Sequence, residues 1–317
     1  MEFDSMSKLV LVTGAAGFIG SAVTEELSRL GTRVLAVDAL LDGLYPSSEK
    51  TERFHRVSEL PGVSTMKFDL RTGDFDKLPH DITHVINEAA MPGLSLSWSD
   101  FDLYSSCNIA GLSRLLDASR RWPLEKFVQV STSSVYGAQA IGDEKQVLAP
   151  VSPYGVTKLA AEHLSFAYWR ESGIPATVLR YFSVYGPGQR PDMAYRRFIT
   201  KALRGEPLTL FGSGKQSRTN TYIADCVSAT VTALELGRPG IAYNISGSEQ
   251  RSITEALEII EGLVGHPLEI VSHDAVRGDQ VETRGDSSLA RAELGLVDSV
   301  TLETGLAEEF RWLQSKG

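Results

Sequence analysis

The run Leu9–Thr13, "LVLVT", passes straight into "GAAGFIGS", which sets glycines at 14, 17 and 20 between a strand-like stretch and a helical one. This spacing allows a tight turn at Gly14, close backbone approach to a pyrophosphate at Gly17 and close helix packing at Gly20, with a helix N-terminus facing the anion. A glycine-bearing turn can also be only a turn, so its neighbours decide the reading. The second strand-like run, Arg33–Asp38, ends in an acid eighteen residues after Gly20, where a carboxylate can accept both ribose hydroxyls of an adenosine. Ala39 and Leu40 follow it without an adjacent arginine for a 2′-phosphate, which favours NAD over NADP. Asp69 of "KFDLR" could meet the adenine amino group or simply close a strand-end turn. The small residues of "NEAA", Asn87–Ala90, would let a cofactor pass close by.

Short β-rich runs recur at Leu9–Thr13, Arg33–Asp38, Met66–Phe68, His84–Ile86, Phe127–Val130 and Thr177–Arg180. Helical patterns lie between them; in "SAVTEELSRLG" Val23, Leu27 and Leu30 share a face and Gly31 is a stop signal. Alternation of this kind predicts an α/β fold, a Rossmann-like doubly wound parallel sheet with helices on both faces. After Tyr181 the turn-rich "GPGQRPD" and "FGSGKQSR" interrupt the rhythm, and a strand pattern returns only at Ile241–Ser246. The expected division is a cofactor-binding domain of residues 1–181 and 222–247 with a smaller α/β substrate lobe of residues 182–221 and 248–317, sharing a cleft.

The 317 residues are enough for such a pair of cores. A formal charge of −9 argues against a surface that tracks nucleic-acid phosphates. Cys107 and Cys226 are the only cysteines, and neither they nor the six histidines show metal-like spacing, so no metal and a reduced, cytoplasmic setting are expected. No apolar run approaches the roughly 20 residues a bilayer span needs.

Two further stretches carry chemistry. "STSSVYGAQ" places four hydroxyl residues, Ser131–Ser134, at the end of the run "KFVQV". In "SPYGVTKLAAEH" Tyr154 and Lys158 are four apart, which puts them on one helix face, where an ammonium could lower the phenol's pKa and favour a phenolate base. By itself such a pair also suits a solvated helix stripe.

In company, these motifs give the chain a clear likeness. From "VTGAAGFIGS" through "STSSVYG", "SPYGVTK" and "RYFSVYGPGQRPDMA" to "GSGKQSRTNTYIAD", "YNISG" and "ARAELG", it resembles the extended short-chain dehydrogenase/reductases of the NAD-dependent epimerase/dehydratase family. The resemblance implies that Tyr154 is the base, that Lys158 holds the nicotinamide ribose and tunes Tyr154, and that Thr132 hydrogen-bonds the reacting sugar hydroxyl. It implies an NAD site that draws on Gly14, Ala16, Gly17, Phe18, Ile19, Gly20, Asp38, Asp69, Leu70, Ala89, Ala90, Asn108 and Tyr181 as well as Tyr154 and Lys158.

Such enzymes oxidise a nucleotide sugar at C4 and then diverge. Dehydratase relatives carry Asp-Glu after the threonine and decarboxylase relatives a glutamate at the second of those positions, whereas this chain has Ser133 and Ser134. Return of the ketone to the alcohol from the opposite face, a 4-epimerisation, is what remains. "TSS", "GQRPDMA" and the loop "DGLYPSSEKTERFHRV" are most similar to UDP-glucuronate 4-epimerases. The implied substrate contacts are Thr132, Ser133, Ser134 and Ser183 for a sugar carboxylate, Arg190 for that carboxylate or a phosphate, Arg218 and Arg277 for the diphosphate, and Asp279 for the nucleoside ribose.

Ser95, Gly188 and Ser183 depart from residues common among glucuronate-type relatives, so a UDP-glucose or other hexose 4-epimerase stays open. Open too are a decarboxylase or net oxidoreductase and a non-catalytic NAD sensor. Helical segments 101–121 and 154–172 pack two subunits together in many relatives, and a homodimer is expected here.

Overall fold

The computed structural model describes residues 8–274, 280 and 282–316. Its first strands are β1 (Leu9–Thr13), β2 (Arg33–Asp38), β3 (Val63–Lys67), β4 (His84–Asn87) and β5 (Lys126–Thr132). They are followed by β6 (Gln139–Gly142), β7 (Ala176–Tyr181), β8 (Val184–Tyr185), β9 (Leu208–Phe211), β10 (Ser217–Thr219) and β11 (Thr221–Tyr222). The last are β12 (Ala242–Ile245), β13 (Gln250–Ser252), β14 (Ile270–His273) and β15 (Glu282–Gly285). Helices α1 (Phe18–Arg29), α2 (Ser47–Ser58), α3 (Ser95–Ser99), α4 (Phe101–Ser105), α5 (Gly111–Ser119) and α6 (Pro153–Ser172) alternate with the early strands. Helices α7 (Ala194–Leu203), α8 (Ile223–Leu236), α9 (Ile253–Val264), α10 (Ser288–Leu294) and α11 (Leu302–Gln314) complete the chain.

Seven strands form one parallel sheet in the order β12-β7-β5-β4-β1-β2-β3, the Rossmann-like arrangement. Along β1, Val10 and Val12 pack into the layer containing Val23, Leu27 and Val231, while Leu9 and Leu11 pack into the opposite layer with Leu112, Leu115 and Leu116. Alternate residues of one strand therefore face two covered surfaces, which is why the strand reads as a continuous apolar run rather than an alternating one. The chain leaves β1 for β2 and β3 on one side and returns to β4 on the other, so the β1/β4 boundary is the switch point at which a crevice opens beyond the strand ends.

A second sheet has the order β13-β10-β15-β6. Strand β6 follows the hydroxyl run by only a few residues, yet it pairs with β15, from Gln139 opposite Glu282 to Gly142 opposite Gly285. Residues 139–142 thus belong to the small sheet, although the sequence rhythm groups them with the large one. The helical stretch expected over 101–121 is also not continuous: α4 and α5 are joined by a π-helical turn, Ser106–Ala110. Among the described residues no helix is long and apolar enough to cross a membrane.

Candidate active site

A cavity of about 340 Å³ occupies the crevice beyond β1, β2, β4, β5 and β7. Its wall begins at the glycine turn. Gly14 has φ +68°, and a β-carbon there would lie 2.8 Å from the backbone of Glu88 and Ala89. One on Gly20 would lie 2.3 Å from the Gly14 carbonyl oxygen. Only glycine permits both the left-handed turn and the close seating of α1 on it. The turn is tied to β4 through the Thr13 hydroxyl, which donates to Asn87 Oδ1 at 2.6 Å and accepts from Ala89 N–H at 3.2 Å.

Asp38 lines the same cavity at the end of β2. Its carboxylate accepts from Ala16 N–H at 3.0 Å and from Leu40 N–H at 2.8 Å, which fixes it against the glycine turn. Burial pushes its carboxyl up, opposed by those two backbone donors. Asp69, further along the wall, is held by both Arg71 N–H and the Arg71 guanidinium, and that pairing keeps its carboxyl below the usual range.

Nothing in the sequence singles out Arg53. It projects from α2 and is buried, donating to Ala16 O at 3.1 Å and to Gly188 O at 3.0 Å. One guanidinium therefore braces the glycine turn against the segment that carries Arg190. Gly188, where relatives often have arginine, has φ +89°, a region that disfavours any side chain. The signal for Arg53 lay in the "EKTERFHRV" loop, but an arginine on a charged helix reads as solvated.

At the deep end, β5 delivers Thr132 and α6 delivers Tyr154 and Lys158, all three facing the cavity. Helix α6 starts sharply because Ser152 accepts Gly155 N–H at 3.1 Å and Pro153 opens its first turn. Gly155 allows its close seating: a β-carbon there would be 2.7 Å from Ser134 O. The Tyr154 hydroxyl lies beside the Thr132 side chain, and its ring meets Tyr104 edge-on at 6.2 Å.

The expected lowering of the phenol by Lys158 is not found. Burial pushes the Tyr154 hydroxyl up, and the groups that pull it back are the Thr132 hydrogen bond and the Arg190 charge. Lys158 instead donates to Val130 O at 2.7 Å, and burial brings its ammonium down to about 8 despite the carboxylates of Glu88 and Glu162.

Gly14, Gly17, Phe18, Ile19, Gly20, Asp38, Asp69, Leu70, Ala89, Ala90, Thr132, Tyr154, Lys158, Tyr181, Ser183 and Arg190 all line the cavity. Arg190 is half-buried and forms a two-point pair with Asp192, at 3.0 and 2.9 Å. Other expected contacts are placed elsewhere. Ala16 is fully buried behind the turn and acts through its N–H and carbonyl. Asn108, on the π-turn, accepts from Met91 N–H at 2.7 Å and donates to Met91 O and Thr157 Oγ1, so it ties the loop after β4 to α6 rather than lining the wall.

Ser133 is buried and its hydroxyl donates to Gln280 at 3.0 Å, while Ser134 sits beside Thr132, 3.4 Å between hydroxyl oxygens. Neither serine lines this cavity. Arg218, on β10, donates to Gln280 O at 2.9 Å and lies outside the wall as well. Arg277 and Asp279 lie outside the described residues. The glycine turn that no β-carbon would fit and the seated carboxylate of Asp38 suit a dinucleotide; Thr132, Tyr154 and Lys158 suit proton transfer at a sugar alcohol held beside it.

Comparison with known proteins gives the same direction. Residues 10–246 match the model of the "NAD dependent epimerase/dehydratase family". An uncharacterised UDP-glucose epimerase of Bacillus subtilis is 40% identical over 312 residues, covering 96% of this chain and 98% of that protein. The UDP-glucuronate 4-epimerase of Thermodesulfobacterium geofontis is 35% identical, covering 95% of each chain. Among solved structures, UDP-glucuronic acid 4-epimerase from Bacillus cereus in complex with UDP-glucuronic acid and NAD superposes with a TM-score of 0.94 at 39% identity, covering 98% of this chain and 100% of that one.

Proposed function

The chain belongs to the NAD-dependent epimerase/dehydratase family, and from that premise we propose that it is an isomerase that inverts C4 of UDP-glucuronate to give UDP-galacturonate through a transient 4-keto sugar. The observation that carries this reading is the meeting of Thr132, Tyr154 and Lys158 with the glycine turn in one cavity, in a chain where Ser133 and Ser134 stand in place of the acids a dehydratase or decarboxylase would need. Relatives named as UDP-glucuronate 4-epimerases, and a structural neighbour that holds both UDP-glucuronic acid and NAD, support it.

NAD would rest with its pyrophosphate on the turn Gly14–Gly20 and its adenosine ribose at Asp38, and when bound it supplies a reversible oxidant at C4. Tyr154 takes the proton of the 4-hydroxyl and later gives one back. Thr132, beside Tyr154, steadies the same alcohol. Lys158, held by Val130 O, brings a positive charge to the floor of the site, while a phenolate that forms on Tyr154 is favoured by Thr132 and by the Arg190 charge. Residues 182–221 and 248–317 would bind the nucleotide sugar, Ser183 and Arg190 receiving its sugar end.

A uronate that becomes a 4-ketone is a β-keto acid and loses carbon dioxide most readily when its carboxylate is desolvated and perpendicular to the carbonyl. Arg190 would hold the carboxylate out of that orientation, with Ser133 and Ser134 able to join if Gln280 releases Ser133. A second reading, 4-epimerisation of UDP-glucose, is favoured by the name of the Bacillus subtilis relative. The chain is further read as a homodimer, since the large apolar side chains of Phe101 on α4 and Val156 on α6 are 46% exposed each; a native mass of one chain would exclude it. A cytoplasmic setting accords with two cysteines, both free.

Incubation of the purified protein with UDP-glucuronate and, separately, UDP-glucose, with products resolved by NMR, tests the function. Interconversion of the uronates without net NADH is expected. Exclusive turnover of UDP-glucose would replace the substrate, and turnover of neither would remove the activity.

A further inference from the structure

Glu88 follows β4 directly and lines the deep end of the cavity with Thr13, Val130, Lys158 and Tyr181. The proposed reaction leaves it without a role. Its Oε1 is 2.8 Å from the Tyr181 hydroxyl; that oxygen is 2.6 Å from Thr230 Oγ1, and the Thr230 hydroxyl is 2.7 Å from Cys226 O. Three hydrogen bonds thus join four oxygens, but Tyr181 and Thr230 bring only two protons between them. A proton on Glu88 satisfies all three, running from Glu88 to Tyr181 to Thr230 to Cys226 O. An ionised Glu88 draws the Tyr181 proton toward itself and leaves one of the other two contacts without a donor whichever way the Thr230 hydroxyl turns.

The chain of hydroxyls therefore gives Glu88 two well-defined states, neutral and anionic. Both face the place where the nicotinamide half of NAD would pass, between the strand end of β4 and the floor formed by Lys158.

We propose that Glu88 is an electrostatic tuning residue whose carboxylate, switched by this hydroxyl chain, sets how strongly the site favours the positively charged oxidised dinucleotide over the neutral reduced one. The inference rests on the NAD reading given above. An epimerase returns its cofactor to the starting state in every turnover, so a site that strongly favoured either redox form would stall halfway. A single adjustable negative charge opposite Lys158 is a means of holding the balance. The groups facing Glu88 are Lys158 and Tyr154 from α6, Tyr181 from β7 and Cys226 from α8. Burial pushes its carboxyl up to about 7, opposed by the Tyr181 hydrogen bond and the Lys158 charge, so the switch falls at ordinary pH.

The test is the bound NAD:NADH ratio after the protein is equilibrated with an equimolar mixture, freed of unbound dinucleotide and assayed by absorbance, at several pH values from 6 to 8.5. In the wild type the ratio should rise several-fold with pH. In Glu88→Gln the rise centred near pH 7 should be lost, leaving only the change that Lys158 contributes nearer pH 8, and the ratio should be displaced toward NADH at high pH, on the order of tenfold, as expected for loss of one charge acting across several ångströms of protein. Glu88→Asp should restore the pH dependence.

Tyr181→Phe, which keeps the carboxylate and removes the donor that stabilises its anion, should move the midpoint to higher pH, and this arm stands even if Glu88→Gln does not fold. The same ratios and pH dependence in wild type and Glu88→Gln, or an unmoved midpoint in Tyr181→Phe, would overturn the proposal while leaving the NAD assignment intact. Failure of the wild type to bind either dinucleotide would overturn both.

Discussion

Glu162 on α6 and Arg180 on β7 form a two-point ion pair, 3.0 Å at Nε and 2.7 Å at Nη2, with side chains only 1% and 5% exposed. The Arg180 guanidinium also donates to the Tyr136 hydroxyl, and the Ser131 hydroxyl donates to Glu162. The pair, with Ser131, thus connects β5, β7 and α6 beneath Thr132. Removing one partner strands the other charge in the interior, so Glu162→Ala should cost about 3–5 kcal/mol, read as a lowered denaturation midpoint in urea. A loss below about 1 kcal/mol would show that water or another group compensates Arg180.

Gly20→Ala tests the cofactor berth. The new methyl would meet the Gly14 carbonyl oxygen at 2.3 Å, and a backbone atom there cannot move without displacing the turn. NAD affinity should fall by at least tenfold while the secondary structure content stays close to that of the wild type. Retention of bound NAD through purification would mean that the turn is not the pyrophosphate site.

Tyr154→Phe removes the proposed proton acceptor and leaves the ring in place. Turnover should drop by 10² to 10⁴, the usual contribution of a positioned acid or base, with NAD still bound. Because burial raises the phenol, wild-type turnover should climb with pH through neutrality as the phenolate fraction grows. A pH-independent rate from 6 to 9 would argue against a phenolate base.

Arg190→Ala separates rate from fate. If this guanidinium restrains the uronate carboxylate, a UDP-pentose should appear among the products, detectable by NMR alongside slower epimerisation. Loss of rate with no pentose would confine Arg190 to binding.

Glu309 on α11 gives a prediction about stability and pH. It is buried, its Oε2 accepts Gly186 N–H at 3.2 Å, and its Oε1 has no partner among the described residues. Burial pushes its carboxyl up to about 8, so the folded chain binds this proton more tightly than the unfolded chain does. Its contribution to stability is fully present below the unfolded value of about 4.5 and is lost progressively as pH rises toward 8. Glu309→Gln should abolish that loss and be the more stable form at pH 8.5 by a few kcal/mol. Parallel stability curves for the two proteins across pH 5–8.5 would refute the assignment.

Much of the large sheet is legible in the sequence because its strands are covered on both faces. The apolar runs at Leu9–Thr13 and Arg33–Asp38 carry the bounds of β1 and β2, and the glycine spacing with Asp38 marks the crevice without any knowledge of pairing. Strand β3, half-covered at the sheet edge, reads poorly: its residues are Val63–Lys67, where composition suggested Met66–Phe68. The π-turn at Ser106–Ala110 leaves no periodic trace, because apolar spacing on either side remains helical. Arg53, Glu88 and Gln280 escaped notice for a common reason. Each is a polar residue whose importance comes from burial against segments distant in sequence, and composition assigns such residues to the surface.

The seating of Ser133 and Gly137 has a bearing on motion. Both carbonyls accept from the Gln280 amide, at 3.1 and 2.8 Å, while the very next strand, β6, is woven into the small sheet. The turn after Thr132 is therefore stitched to both sheets of the molecule at once. Any displacement of the small sheet would pull on Thr132, so the seat of the proposed chemistry cannot be moved independently of that sheet.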